Sequence, residues 1–205
     1  MRRLRLKNLF EINNFNYIFI YKKKHHLLNN YLKDERLNRY NQANRDVTKD
    51  KILSGSFFLY RCFKTLGFTK EICLKAFSTA SSYRIMLPRG DFSYSNSGDY
   101  HVLTFSLTDK TGVDIEEYRD RPEITYKRFL SYSDESQNDL KLLFYKKWLA
   151  KEILFKQNQV KSISYFHLDN YICGYSFSST KKTKLFYLPN LLEDNFAELN
   201  FSMLE

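Results

Sequence analysis

The stretch Gly112–Glu116, with the sequence GVDIE, decides the fold. Apolar and acidic residues alternate along it, which predicts a half-buried strand. Because strand side chains repeat every second residue, Asp114 and Glu116 share one face, and Val113 and Ile115 pack behind them. Two carboxylates about 7 Å apart on a rigid strand repel each other unless a hard cation or a basic ligand lies between them.

A second stretch, Trp148–Lys156 (WLAKEILFK), follows some forty residues later and has the pattern of a helix. Trp148, Glu152 and Lys156 fall at i, i+4 and i+8, so one helix face carries an aromatic ring, a carboxylate and an ammonium group. Together with the strand, this gives three carboxylates and a lysine on two rigid elements. The combination predicts a magnesium–phosphate site.

Composition sets wide bounds on the class of protein. With 205 residues and 43% hydrophobic content, the chain is long enough to bury one core or two smaller ones. Its net charge of +10 attracts polyanions, which include nucleic acid, an anionic membrane, nucleotide phosphates or an acidic protein. Charge alone does not choose among these partners.

The cysteines and the N-terminal stretch predict a cytoplasmic protein without a membrane segment. Cys62, Cys73 and Cys173 have no C-x-x-C spacing and leave an odd thiol, which favours a reducing compartment over a disulfide framework or a zinc site. The apolar run Phe15–Tyr21 is too short to span a bilayer. We expect it to form the first strand.

The remaining pattern predicts an α+β chain. A helix in two pieces is expected over Asp34–Phe63, a short helix over Thr69–Thr79, and a helix over Leu140–Lys156 that begins after a capping box of Ser131 and Asp134. Three further runs have the pattern of strands that close an antiparallel sheet: Ile163–Leu168, Tyr171–Phe177 and Lys184–Leu188.

One turn is expected just before the acidic strand. His101–Leu107 alternates like a strand, and Asp109–Gly112 then turns the chain into Gly112–Glu116. This order predicts a hairpin between the two strands.

These residues resemble the 4′-phosphopantetheinyl transferases of the surfactin-synthetase type. That family pairs a G-[IV]-D-[IVL]-E strand with a W-x-x-K-E-x-x-x-K helix about thirty to forty residues later, and both motifs are intact and in order here. Phe92–Gly98 (FSYSNSG) resembles the family's F-N-x-S-H-S-G segment. Arg128–Asp134 (RFLSYSD) resembles its R-F-F-S-x-x-E helix start.

The resemblance covers roughly residues 30–180 and is strongest over 92–156. It implies an α+β fold of two similar α/β halves related by a pseudo-twofold. Each half would be an antiparallel sheet packed on a long helix, with the active site between them. The halves would be residues 1–108, on the side of the coenzyme A 3′-phosphate, and 109–205, with the magnesium and catalytic residues. The family type is usually monomeric.

The resemblance also implies a reaction. Coenzyme A donates its phosphopantetheine arm to a serine of an acidic acyl or peptidyl carrier protein, converting the carrier from the apo to the holo form. Asp114, Glu116 and Glu152 would hold Mg²⁺. Glu152, or a water that it positions, would be the general base, and Lys156 would contact the leaving phosphate. Lys151 would contact phosphate or the rim of the site.

Coenzyme A recognition is implied for residues of the first half. Arg36, Arg39 and Lys51 lie where the family places basic side chains for the 3′-phosphate, although a solvated basic helix face has the same pattern. Ser95 lies in the segment that resembles the family's serine–histidine motif.

Two positions depart from the family pattern. Asn96 stands where the family has histidine, and an amide never carries the positive charge of an imidazolium. The family's G-K-P loop is missing, and Arg84 is the nearest replacement for its lysine. We expect weaker coenzyme A binding or a rearranged pocket.

Two alternatives remain beside the transferase. The first is a non-catalytic relative of the family that binds a carrier protein or coenzyme A. The departures from the family pattern at Asn96 and Arg84 favour it. The second is a basic nucleic-acid binder, favoured by the net charge and the abundant aromatic residues. No recognition motif for nucleic acid is present, and an acidic pair would repel phosphate. We therefore expect no nucleic-acid partner.

Overall fold

The structure is a computed structural model, and it describes residues 14–23, 31–32, 34–75, 89–130, 139–157, 160–188 and 197–199. Within these ranges the chain forms eight strands and five helices. The strands are β1 (Asn16–Lys22), β2 (Asp91–Ser97), β3 (Tyr100–Ser106), β4 (Thr111–Glu117), β5 (Ser164–Leu168), β6 (Tyr171–Phe177), β7 (Thr183–Leu188) and β8 (Ala197–Leu199). The helices are α1 (Asp34–Gln42), α2 (Asp46–Thr65), α3 (Lys70–Lys75), α4 (Glu123–Phe129) and α5 (Leu140–Gln157).

The architecture is mixed α/β, with two sheets packed face to face. One sheet has five strands in the order β2-β3-β1-β7-β8, and the other has three in the order β4-β6-β5. Helix α2 packs on the outer face of the larger sheet, and α5 packs on the outer face of the smaller one. The molecule is therefore layered as helix, sheet, sheet, helix.

Strand β1 lies in the middle of the larger sheet because its sequence, NYIFIYK, is apolar on both faces. Tyr17, Phe19 and Tyr21 belong to the cluster that packs against α2. Ile18 and Ile20 belong to the cluster between the sheets. These five side chains are fully buried, and the predicted first strand is confirmed.

The helices expected from periodicity are present. Asp34–Phe63 is divided into α1 and α2, as predicted, and the predicted helix Leu140–Lys156 is α5. The predicted Thr69–Thr79 helix is α3 as far as residue 75, and its remainder lies outside the described residues, as does the proposed capping box of Ser131 and Asp134.

The predicted hairpin between β3 and β4 is wrong. Strand β3 is paired on both edges, with β1 and with β2, so it has no edge left for β4. Strand β4 pairs instead with β6, with Asp114 opposite Gly174. The turn after β3 thus carries the chain from one sheet to the other.

Side chains of β2 bind the other edge of β4. The Asp91 carboxylate accepts a hydrogen bond from Thr111 N–H at 2.8 Å, and Ser93 Oγ accepts one from Val113 N–H at 3.1 Å. These bonds satisfy backbone donors that a strand neighbour would otherwise take. We call the contact between β2 and β4 the seam.

The predicted position of the last strand is also wrong. The run Lys184–Leu188 was expected beside β5 and β6, but β7 lies parallel to β1 in the larger sheet, with Phe186 opposite Phe19. Leu185 and Phe186 are both buried, so β7 is covered on two faces and fits only an interior position. Consequently the larger sheet is mixed and not purely antiparallel, and residues from the C-terminal half complete it.

Two further findings concern membrane-spanning helices and the cysteines. No helix within the described ranges is long and apolar enough to cross a membrane. Cys62, Cys73 and Cys173 are free thiols, and all three are buried.

Candidate active site

The two faces of β4 have different environments, as the alternation predicts. Val113 and Ile115 are buried in the cluster between the sheets. The opposite face, which carries Asp114 and Glu116, is turned toward α5. Pattern and structure agree here because the side-chain period of a strand is fixed by its backbone.

Helix α5 lies close to this face because two glycines leave room for it. A Cβ atom added to Gly112 would lie 2.8 Å from Ile153 Cγ2, and one added to Gly174 would lie 3.1 Å from Ile153 Cδ1. Larger residues at these positions would push the helix away. Gly112, which begins the GVDIE stretch, therefore helps to set the distance between Asp114 and the side chains of α5.

Asp114 joins three segments of the chain. Its Oδ1 atom accepts hydrogen bonds from Lys156 Nζ at 2.7 Å and from Ser95 Oγ at 2.6 Å. Lys156 Nζ also donates to the Val113 carbonyl oxygen at 2.9 Å. The side chains of Lys156 and Asp114 are only 6% and 9% exposed, so this is a buried, hydrogen-bonded ion pair.

The second oxygen of Asp114 is buried but accepts no hydrogen bond from the residues that the structure describes. A buried carboxylate oxygen without a partner costs free energy, about 1–3 kcal/mol or more for a charged group. Such an atom is explained by a ligand, an ion or strain. It marks a position at which a cation would be stabilised.

Glu116 is affected by the negative charges of the other two carboxylates. Its carboxylate is half-buried and accepts a hydrogen bond from the side chain of Trp148. Burial raises the pKa of Glu116 most, and the negative charges of Asp114 and Glu152 raise it further. Arg121 and the Trp148 hydrogen bond act in the opposite direction.

These residues fit a hard divalent cation by their chemistry. Three carboxylates influence one another, one buried oxygen has no partner among the described residues, and oxygen ligands are what Mg²⁺ prefers. However, within the described ranges, no three His, Cys, Asp or Glu side chains form a group that could hold a metal ion. Asp114, Glu116 and Glu152 therefore do not converge on one point in this arrangement, in which Lys156 neutralises Asp114.

The residues of the Phe92–Gly98 segment lie in two different environments. Ser95 binds Asp114, but the Nδ2 atom of Asn96 donates to the Tyr94 hydroxyl at 2.8 Å. That hydroxyl lies 2.7 Å from Nδ1 of His101, whose Nε2 lies 3.0 Å from Ser54 Oγ. Asn96 thus belongs to a hydrogen-bond network beneath α2 and not to the carboxylate site.

His101 is the buried titratable group of that network. It is 1% exposed. Burial lowers the pKa of His101 to about 3, and the positive charges of Arg36, Lys23 and Lys51 act in the same direction. The ring is therefore neutral at physiological pH, with hydrogen-bond partners at both nitrogens.

The remaining predicted coenzyme A residues lie on α1, α2 and α5 or outside the described residues. Lys51 is exposed on α2 and Arg39 on α1. Arg36 donates to the Ile52 carbonyl oxygen at 3.3 Å and to Ser56 Oγ at 3.1 Å, and burial lowers its pKa.

Lys151 is exposed on α5, and its Nζ lies 5.8 Å from the centre of the Phe129 ring. Arg84 lies outside the described residues.

Three residues of interest were not predicted from the sequence. Arg121 lies near Glu116 and is bound by the Tyr145 hydroxyl, and His101 lies beneath α2. A signal existed for two of them, since His101 is a polar residue in an apolar strand and Arg121 directly precedes a proline soon after the acidic strand. Tyr145 has no signal, because an aromatic residue on a helix is usually core.

Comparison with protein-family models finds no match to this chain, and comparison with curated proteins finds none either. The family resemblance therefore depends on the motifs quoted above and on the geometry of the residues that carry them.

Proposed function

We propose that this chain is a Mg²⁺-dependent 4′-phosphopantetheinyl transferase that acts on an acyl or peptidyl carrier protein. One observation supports the proposal above the others. Three segments that resemble separate family motifs meet at one carboxylate, where Ser95 and Lys156 both bind Asp114. Ser95 and Lys156 are 19 and 42 residues away from Asp114 in sequence, yet both bind its Oδ1 atom. Amino-acid composition alone would not produce such a contact.

The roles follow from position and charge. Asp114, Glu116 and Glu152 would hold Mg²⁺, which supplies positive charge to the pyrophosphate of coenzyme A. Glu152 is half-buried on α5 and accepts the proton of the carrier serine hydroxyl, directly or through a water. The serine oxygen forms a bond to phosphorus as the bond to adenosine 3′,5′-bisphosphate breaks. Lys156, held by the Val113 carbonyl oxygen, stabilises the leaving phosphate.

Further parts of the proposal concern the donor and the whole molecule. Lys51, Arg36 and Arg39 bind the 3′-phosphate of coenzyme A, while Ser95, Asn96, Arg84 and Lys151 line its path. The two halves, each with a long helix on a sheet, are related by a pseudo-twofold. The protein acts as a cytoplasmic monomer, and its net charge of +10 attracts an acidic carrier protein.

The test is mass spectrometry of candidate apo carrier proteins incubated with this chain, coenzyme A and Mg²⁺. We expect a gain of one phosphopantetheine unit on the carrier, abolished by chelation of the metal. Asp114→Ala and Glu152→Ala should each lower the rate by at least about 10²-fold, the scale seen when one electrostatic or acid–base group is removed.

Glu117→Gln is the matched control. Glu117 is the next acidic residue on β4, but it lies on the opposite strand face and contacts Asn170 and Arg119 at the surface. Its replacement should leave the rate within about twofold, since surface pairs contribute little. Full activity in Asp114→Ala would contradict the proposed roles.

A non-catalytic relative that binds a carrier protein or coenzyme A is the second candidate. It is favoured by the carboxylates that do not converge on a metal position and by the Asn96 amide that is bound to Tyr94. Micromolar binding of a carrier protein or coenzyme A without any mass gain, with Mg²⁺ or Mn²⁺ present, would select this candidate over the transferase.

A further inference from the structure

The loop that follows β4 is held by one buried hydroxyl group of α5. Tyr145 is fully buried. Its hydroxyl donates to the Arg119 carbonyl oxygen at 3.0 Å and accepts from Arg119 N–H at 3.2 Å. It also accepts from Arg121 Nε at 3.2 Å. One donor and two acceptor positions are the full capacity of a phenol, so the loop and the Arg121 side chain are fixed together.

Most of the hydrogen-bonding capacity of Arg121 remains available. A guanidinium group has five N–H donors, and across the described residues that of Arg121 makes one hydrogen bond, through Nε. The side chain is half-buried, and its backbone N–H is bound by the Tyr126 hydroxyl at 3.0 Å. The guanidinium lies 5.8 Å from the centre of the Tyr145 ring, and its terminal nitrogens are held on a fixed loop without a hydrogen-bond partner in the part of the chain that the structure describes.

Arg121 is also close to the carboxylate site. It follows Glu116 by five residues, and its Nε donates to Tyr145, which lies one helical turn before Trp148 on α5. The hydrogen bond to Tyr145 raises the pKa of Arg121 most, and the negative charge of Glu116 acts in the same direction. The structure nevertheless has no direct ion pair between the two described side chains. The guanidinium therefore lies near Glu116 without contacting it directly.

Arg119 provides the contrast, although it lies only two positions away. Its side chain is 61% exposed, and it forms a surface ion pair with Glu117 at 3.7 Å. Tyr145 binds only the backbone of Arg119, whereas it binds the side chain of Arg121. The same loop thus turns one arginine to solvent and holds the other at the site.

The charges at the site show what a ligand must supply. Asp114, Glu116 and Glu152 are acidic, and Lys156 and Arg121 are basic, so the formal charges of the five groups sum to −1. One divalent cation brings the sum to +1, which suits a phosphate anion. Lys156 is paired with Asp114, whereas no carboxylate of the described residues binds Arg121 directly.

We propose that Arg121 is a phosphate-binding residue whose terminal N–H groups bind the pyrophosphate of the donor beside Glu116. Arginine suits this task because its planar N–H groups match the spacing of two phosphate oxygens. The identity of the anion as coenzyme A rests on the proposed function. The binding of a diphosphate by Arg121 can be measured without any transfer reaction.

The experiment is titration calorimetry of the purified chain with Mg²⁺ and either inorganic pyrophosphate or coenzyme A. Arg121→Gln should weaken both ligands by about tenfold to hundredfold, the scale of charge-assisted hydrogen bonds. Arg121→Lys should lie between that variant and the unmodified chain. Arg119→Gln, the matched control, should bind within about twofold of the unmodified chain.

A second variant guards against a loss of folding. Tyr145→Phe keeps the ring in the core and keeps the guanidinium, but it removes the hydroxyl that fixes the loop. We expect a weakening of about threefold to tenfold, smaller than for Arg121→Gln. Circular dichroism and thermal unfolding check that each variant is folded.

The outcomes separate this inference from the proposed function. Equal binding by Arg121→Gln and the unmodified chain would overturn the role of Arg121, as would absence of any binding by the unmodified chain. If Arg121→Gln loses binding while no carrier protein gains mass, the role of Arg121 stands and the transferase proposal fails.

Discussion

At the residue scale, the buried pair of Asp114 and Lys156 is the central feature of the molecule. Two charges removed from water lose hydration, and only close geometry and further hydrogen bonds compensate for that loss. Ser95 and the Val113 carbonyl oxygen supply two such bonds. The second oxygen of Asp114 has no hydrogen-bond partner among the described residues, and a bound cation would supply one.

His101 makes the stability of the fold depend on pH. Its pKa is about 3 in the folded chain, against an ordinary value of about 6.5. Below pH 6.5 the unfolded chain therefore binds a proton that the folded chain does not. The free energy of unfolding should fall by about 1.4 kcal/mol per pH unit from this group between pH 6.5 and 3, and its full contribution is present above pH 6.5.

Urea unfolding at several pH values measures this contribution. His101→Gln should have a smaller pH slope than the unmodified chain in that window. The control His167→Gln removes an exposed histidine of β5 and leaves His101 in place, so it should keep the original slope. Equal slopes for all three proteins would contradict the burial of a neutral His101.

Sequence periodicity predicted which face of β4 carries the acidic side chains, but it did not predict the residues that those side chains contact. Asp114 and Glu116 face α5 because the period of a strand is two. The contact of Lys156 with Asp114 joins positions 42 residues apart, and no local rule gives that distance. Asn96, predicted at the coenzyme A site, donates to the Tyr94 hydroxyl two residues earlier on the same strand face, a contact that motif position alone does not give.

At the element scale, the turn between β2 and β3 links the upstream serine segment to the smaller sheet. Gly98 has a φ of +52°, and a Cβ atom added there would lie 2.9 Å from Cζ of Tyr171. The Tyr171 ring packs against that of Tyr100, with centres 5.0 Å apart. A side chain at position 98 must therefore displace an aromatic pair.

Gly98→Ala should lower the free energy of unfolding by about 2–4 kcal/mol, from left-handed backbone strain and the displaced ring together. Gly67→Ala is the matched control, because Gly67 has a φ of +83° with open space around it. It should lose only the backbone part, about 1–2 kcal/mol. Similar losses in the two variants, measured by urea unfolding, would rule out the role of Tyr171.

The two errors in strand placement have one physical cause. Local pattern identifies a strand, but its neighbours are chosen by which faces are buried and which edges remain open. Strand β4 could not join β3, whose edges are both occupied, and β7 was buried on both faces beside β1. Sequence alone therefore predicts the elements well and their pairing less well.

At the scale of the whole molecule, β7 prevents the chain from being cut into two independent halves. It pairs with β1 over six residue pairs, from Asn16 opposite Thr183 to Tyr21 opposite Leu188. Without β7, a fully buried edge of β1 would be exposed to water. The proposed boundary near residue 108 thus divides the sequence but not the larger sheet.

We expect residues 1–108 expressed alone to be unfolded or aggregated, because an open apolar edge invites association. Coexpression with residues 109–205 should restore a soluble complex. Circular dichroism and cooperative thermal unfolding measure the outcome. Cooperative unfolding of residues 1–108 alone would show that β7 is not required.

The seam between β2 and β4 has a consequence for how the two sheets can evolve. A backbone ladder persists through most substitutions, because every residue except proline offers the same N–H and C=O groups. This seam is made by Asp91, Ser93 and Ser95, so replacement of a single hydroxyl loosens it without altering either sheet. Point mutations at these residues can therefore adjust the spacing of β2 and β4 at Asp114 in small steps.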